Sequence, residues 1–257
     1  MPFQVSMAYF QESLISFQES FKQNFIDDNR WKYLVDGVQY TLTITVFALV
    51  IGLVLGFVIA IFRVTHDTMG KMETPSILLK TANILMMFMN WLAKLYVTVI
   101  RGTPVVIQLM IIYYVIFSNI NIDKIFTAVL AFGINSGAYV SEIFRAGIMS
   151  IDIGQREAGR SLGLNYGQTM LRIVMPQAIK NVLPAIGNEC ITLLKETSVA
   201  GYIAVIDLTR GADIIRSRTF QPFFPLLGAA AIYLLLVSLL QSGVNRIERR
   251  LAKSDRR

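Results

Sequence analysis

Residues 157–176 read EAGRSLGLNYGQTMLRIVMP, a polar stretch set between two apolar runs. Glu157 is followed by two small residues, Ala158 and Gly159. Gly163 comes six positions after the glutamate, and Ile173-Val174-Met175-Pro176 closes the stretch. Gly163 supplies the left-handed backbone that a tight reversal demands. Pro176 has no backbone N–H to give, which suits the first turn of a following helix. Small residues at 158 and 159 let a helix lie close against the groove of another protein. A stretch of this shape serves no membrane span of its own.

Composition sets the class around it. Mean hydropathy is +0.54, and 54% of the 257 residues are hydrophobic. Only 16% are charged, against about a quarter in soluble domains. The apolar residues come in uncharged runs long enough to cross a bilayer, for which about 20 residues suffice. Cys190 is the one cysteine and lies inside such a run, so neither a disulfide framework nor zinc spacing is present. His66, the one histidine, falls in a polar segment and reads as a solvated side chain. The net charge of +7 gathers beside the apolar runs, a distribution that speaks for membrane topology and against nucleic acid.

Five spans are expected: about 38–62, 94–117, 124–148, from 176 to near 205, and 221–244. Residues 63–80 read as a polar loop with Arg63, His66, Lys71, Pro75 and Lys80, followed by an interfacial helix over 77–92. Gly52 and Gly56 in the first span have GxxxG spacing, a mark of close helix contact. Residues 1–32 form a separate N-terminal segment. There Phe10, Leu14, Phe17 and Phe21 share one helical face, as in a helix lying in the membrane interface on the outer side. The 145–180 stretch and the tail after 245 collect arginine and lysine, which places both in the cytosol and the N-terminus outside. Residues 33–250 make up the membrane domain and 251–257 a basic cytosolic tail. Arg210, Arg216 and Arg218 depart from the rule, on a connection expected outside. They suggest a surface that meets an acidic partner.

The 157–176 stretch resembles the EAA loop in membrane subunits of ABC importers, with Gly159 where alanine is usual. Further segments are similar to the polar amino acid subfamily of these permeases: Arg101-Gly102-Thr103-Pro104, Asn135-Ser136-Gly137-Ala138-Tyr139 with Glu142 and Arg145, Gly187-Asn188-Glu189, and Lys195-Glu196-Thr197-Ser198. The resemblance implies an all-α integral membrane protein of type I importer architecture in a bacterial cell membrane. It implies a dimer with a second copy or a similar permease, ABC ATPase subunits docked at 151–176, and an extracytoplasmic solute-binding protein that delivers an amino acid. Glu157, Ala158, Gly159, Gly163 and Pro176 carry the coupling. The chain has no GxxxxGK[ST] phosphate loop, so ATP and its magnesium belong to the partner ATPase, and no cofactor or catalytic residue is expected here.

Ionisable groups inside a bilayer cost roughly 2.5–3.5 kcal/mol each, so each needs a partner or a wet cavity. The fourth span holds Glu189, Lys195 and Glu196; Glu189, Thr192 and Glu196 fall on one helical face. Two stacked carboxylates make a seat for the ammonium or guanidinium of a cationic amino acid. A Lys195–Glu196 pair that merely holds helices together is the structural alternative for Glu196. Asn135 and Tyr139 in the third span, and Gln108 and Thr103 in the second, complete the candidate path. Glu142 is expected to pair with Arg145. Thr103-Pro104 should break the second span. Glutamine or another neutral polar amino acid is the runner-up substrate. The competing classes are a self-sufficient secondary transporter or channel, and a membrane scaffold; neither needs a docking loop.

Overall fold

The computed structural model describes residues 12, 14–69 and 77–254, and among them every regular element is helical. A helical lead over 14–21 passes through a π turn (Lys22–Ile26) and a 3-10 turn (Asp27–Asn29) into α1 (Trp31–Met69). Then come α2 (Ile77–Gly102), α3 (Val105–Ile111) with a π turn (Ile112–Ile116), and α4 (Lys124–Met149). Next are α5 (Ile153–Ser161), α6 (Tyr166–Thr169) with a π turn (Met170–Val174), and α7 (Met175–Glu196). A 3-10 stretch (Thr197–Ile203), α8 (Leu208–Thr219) and α9 (Phe223–Ser254) complete the order.

Three helices among the described residues are long and apolar enough to cross a membrane: Trp31–Thr68, Ile84–Gly102 and Phe223–Leu251. The second span, expected over 94–117, is instead Ile84–Gly102, with Val105–Ile116 a separate shorter apolar helix beyond the Thr103-Pro104 break. The other two of the five expected spans are α4 and α7. Both are long enough to cross, at about 1.5 Å per residue, but they carry polar groups. On α4 the polar side chains Asn135, Ser136 and Ser141 are buried, whereas α7 buries Glu189 and leaves Asn181, Asn188, Thr192 and Lys195 exposed.

The parallel packing of α1 on α4 is what allows this. Cβ atoms placed on Gly52 and Gly56 would fall 2.9 Å from Ser136 and 2.6 Å from Val140. Gly133 answers from α4, where a Cβ would meet Ile51 at 2.8 Å. The steps 52 to 56 and 136 to 140 keep register, so the helices run side by side in the same direction. Backbones this close gain dispersion contacts that no larger residue permits. Ile44, Ala48, Phe132, Leu193 and Leu109 fill the space above the seam.

One end of the molecule holds the starts of α1, α4 and α9 together with α8. The other gathers Arg63, Arg145, Arg156, Arg160, Arg172, Arg246, Arg249 and Arg250 and is the cytosolic end. At the outer end α8 lies on the start of α1 through Leu34, Leu208, Ala212 and Ile215. The N-terminal lead is bound to the same corner. Phe17 stacks edge-on against Phe224 at 5.0 Å, and buried Asn24 donates to Gln221 Oε1 at 2.6 Å. Phe10 lies outside the described residues.

Two further expectations need correction. The polar loop at 63–80 is mostly helix: α1 continues to Met69 and α2 begins at Ile77, while Lys71 and Pro75 lie outside the described residues. His66 sits on α1, and Asn90 of α2 bonds its Nδ1 at 3.1 Å. Nor is there a separate interfacial helix at 77–92. One helix runs from Ile77 to Gly102, because nothing in that stretch breaks it before Thr103-Pro104.

Replacing Gly56 by alanine should lower stability by about 1–3 kcal/mol, the usual cost of overpacking. The control is Gly243→Ala on α9, where a Cβ meets nothing within 4 Å; it should be neutral or slightly stabilising. Thermal unfolding of the two variants in detergent measures the difference, and equal melting temperatures would mean the seam is not tight.

Candidate functional site

Two regions draw the candidate residues together: the interior between α4 and α7, and the cytosolic loop from α5 to α7. In the interior Glu189 is buried and accepts a 2.8 Å hydrogen bond from Ser136 Oγ of α4. Thr192 is exposed and Glu196 half-buried, so the three share one side of α7 while only Thr192 opens outward. Lys195 is exposed, and no ion pair joins it to Glu196 among the described residues.

The rest of α7 divides cleanly. Asn181, Asn188, Thr192 and Lys195 recur at helical spacing on one exposed stripe. Ile179 and Leu183 are exposed on the opposite side. A polar stripe and an apolar stripe on one helix cannot both face lipid. Sequence reasoning selects Glu189, Thr192 and Glu196 and takes Lys195 only as a partner for Glu196. It misses Asn181 and Asn188, although the i, i+7, i+14 spacing of 181, 188 and 195 is legible.

Gln108, Thr103 and Asn135 meet, but in a network that closes on itself. Gln108 Nε2 donates to Ile100 O at 2.8 Å and to Thr103 Oγ1 at 2.7 Å. Its Oε1 accepts from Asn135 Nδ2 at 3.0 Å. The break before Pro104 frees carbonyls that need donors, and Gln108 supplies them. The break puts Arg101 and Gln108 on different helices. Arg101 instead sits over the Tyr139 ring, 5.1 Å from its centroid. Glu142 pairs with Arg145 at 3.0 Å, as the spacing predicts, and also with Arg63 of α1, a partner that only the α1–α4 packing supplies.

In the loop, Gly163 has φ +79°, the left-handed backbone the reversal requires. Leu164 N–H bonds back to Gly159 O, closing the turn. Pro176 stands in the first turn of α7. Asn165 and Gln168 cap α6 reciprocally, a pairing whose N-x-x-Q signal the sequence reading did not use. Tyr166 hydroxyl meets Thr68 Oγ1 at 2.7 Å and fixes the loop to the end of α1. Beneath lie Val64, Ile148, Val174 and Ala178. Glu157 and Ala158 are exposed, as are the apolar side chains of Leu162, at 79%, and Leu171, at 72%. Gly159 is not part of that outer surface. It is buried, and a Cβ there would fall 2.6 Å from Thr169 Cγ2, so its size serves the loop's own packing.

A family model described as binding-protein-dependent transport system inner membrane component matches residues 77–253. The chain belongs to that family. It is 39% identical over 225 residues to the arginine transport system permease protein ArtQ of Bacillus subtilis, covering 87% of this chain and 94% of that one. To the L-cystine transport system permease protein TcyB of the same organism it is 34% identical over 230 residues, 89% of this chain and 90% of the relative. A putative glutamine transport system permease protein GlnP of Rickettsia typhi shares 35% over 221 residues, 85% and 93% of the two chains. Among solved structures, an amino acid ABC transporter with histidines matches with TM-score 0.74 and 38% identity, over 88% of this chain and 98% of that one. The MetNI methionine transporter, at 20% identity and TM-score 0.68, shares the fold. This permease is thus an amino acid ABC transporter subunit, a multi-pass membrane protein and not an enzyme.

Among the described residues, two groups outside the spans have displaced titrations: hydrogen bonding to Arg216 lowers Asp213, and Asp207 moves the other way. Asp207 caps α8, accepting from Thr209 N at 2.9 Å, and is fully buried. Burial pushes its carboxyl from 3.8 up to about 6, although the capping N–H bonds pull the other way. A raised folded pKa means that ionisation weakens the fold. Stability conferred below pH 4 is lost as pH rises toward 6, by about 3 kcal/mol at 1.36 kcal/mol per unit. Asp207→Asn keeps an acceptor for the cap and removes the ionisation. The variant's melting temperature should lose the fall between pH 4 and 6 that wild type shows. A second variant tests the loop: Gly159→Ala should destabilise by about 1–3 kcal/mol, and Thr169→Ala added to it should restore most of the loss. If Gly159→Ala melts with wild type, the loop has slack there.

Proposed function

We propose that this permease forms the translocation path for a polar, cationic amino acid in an ATP-driven importer. It works beside a second copy or a similar permease and couples to ATPase subunits through residues 157–176. Its solute arrives on an extracytoplasmic binding protein. What carries the reading is Glu189: a buried carboxylate in the body of α7, held by a hydroxyl and by no cation among the described residues, beside the polar stripe of Asn188 and Thr192. An ammonium or guanidinium would offset the cost of that charge, and an anionic solute would be repelled. ArtQ, named for arginine, and a solved transporter with histidines agree with a cationic solute. The relatives named for glutamine and cystine support the second reading, a neutral polar amino acid. For the coupling, support comes from the exposed Glu157, Leu162 and Leu171, which crown a loop packed firmly from below.

Uptake by the assembled importer in vesicles tests the substrate. Glu189→Gln should lower arginine uptake about 10- to 100-fold, the worth of one hydrogen bond to a charged group. Basal ATP hydrolysis should change far less. Preferred uptake of glutamate or aspartate by wild type contradicts the charge argument, and equal uptake of arginine by wild type and variant removes Glu189 from the path.

A further inference from the structure

Helix α8 is a rigid platform at the outer end. Its inner face, Leu208, Ala212 and Ile215, is buried on the start of α1, and a Cβ on Gly211 would fall 2.4 Å from Tyr33 O. Its last residue, Thr219, donates to Asn24 Oδ1 at 2.9 Å. The opposite face carries Thr209, Arg210, Asp213, Arg216 and Ser217 and is polar over its length. Arg210 and Arg216 share the Asp213 carboxylate at 2.8 and 2.6 Å, so one negative charge answers two positive ones. Arg218 lies over the Tyr33 ring, 5.0 Å from its centroid, and adds a third guanidinium. This excess of positive charge lies at the end where topology does not call for it.

Phe220 follows directly, with φ 56° and ψ 21°, its N–H bonded to Arg216 O at 2.8 Å. A bulky L-residue is disfavoured in that left-handed position, which glycine would occupy freely. Yet its ring is 89% exposed. It therefore gives the fold neither a relaxed turn nor buried surface. Backbone strain kept at an exposed aromatic, set among arginines, has the composition of a binding hot spot.

We propose that Arg210, Arg216 and Phe220 are the contact at which the extracytoplasmic solute-binding protein docks, through carboxylates around an apolar recess on that partner. The inference rests on the importer reading above. A lipid anchor is the other use of an aromatic near the start of α9. It is disfavoured because the face leading to Phe220 is polar throughout and Phe223 already supplies an exposed ring beside the span.

The test uses the importer assembled with its ATPase subunits in nanodiscs. ATP hydrolysis is titrated with the purified, arginine-loaded solute-binding protein encoded beside the ATPase. Phe220→Gly should keep or raise the melting temperature while raising the half-saturating binding-protein concentration at least tenfold, with the maximal rate unchanged. Arg210→Gln with Arg216→Gln should raise it similarly and flatten its salt dependence. Half-saturation equal to wild type in both variants overturns the proposal. So does a fall in melting temperature with a parallel loss of maximal rate, which marks a structural role. An effect that follows the anionic lipid content, and not the binding protein, assigns the surface to lipid and overturns it as well. If wild type itself is not stimulated at any concentration, the reading of a cationic solute delivered by that protein falls and the docking surface with it.

Discussion

The polar side chains buried along α4 depend on the contact between Gly52 and Gly56 of α1 and Ser136 and Val140 of α4. Lipid cannot solvate Asn135, Ser136, Ser141 or Glu142, so α4 must be enclosed. Enclosure by an apolar helix is strongest where the backbones touch, and only glycine on α1 and small residues on α4 permit that approach. The register fixed by this seam also sets Arg63 beside Glu142 and Ser136 beside Glu189. One packing interaction thereby places a cytosolic ion pair and the buried carboxylate of α7.

Helix α7 then distributes three environments around its circumference. Ala178, Val182, Glu189 and Leu193 turn to the core, Ile179 and Leu183 to the apolar outside, and Asn181, Asn188, Thr192 and Lys195 to an uncovered polar side. Its cytosolic end emerges directly from the loop that crowns the basic face of the molecule. A push on Leu171, which lies in the π turn at Met170–Val174, has a continuous helical connection to the helix that carries Glu189. That continuity gives the coupling proposal a physical path, with Val174 and Ala178 packed on Val64 and Ile148 as its bearing.

Much of the loop was legible in the sequence because its requirements are local. A left-handed backbone at Gly163 and a missing donor at Pro176 are properties of single residues at fixed offsets. The GxxxG of α1 was legible as a contact, though its partner was not. What stayed hidden depends on residues far apart in the chain. Gln108 looked like a path residue because its work, satisfying carbonyls freed by the break before Pro104, shows only once the chain turns back on itself. Gly159 looked like part of a docking surface, and only the fold brings Thr169 against it. Arg63 read as a loop residue because polar side chains near a span's end do not reveal how far the helix continues.

Helix α7 is expected to show one face to water and the other to lipid. Single cysteines along α7, introduced with Cys190 replaced by serine and probed with a charged maleimide in the assembled membrane complex, measure this directly. Labelling is expected at 188, 192 and 195, with protection at 179 and 183. Labelling at 179 and 183 with protection at 188, 192 and 195 would contradict it.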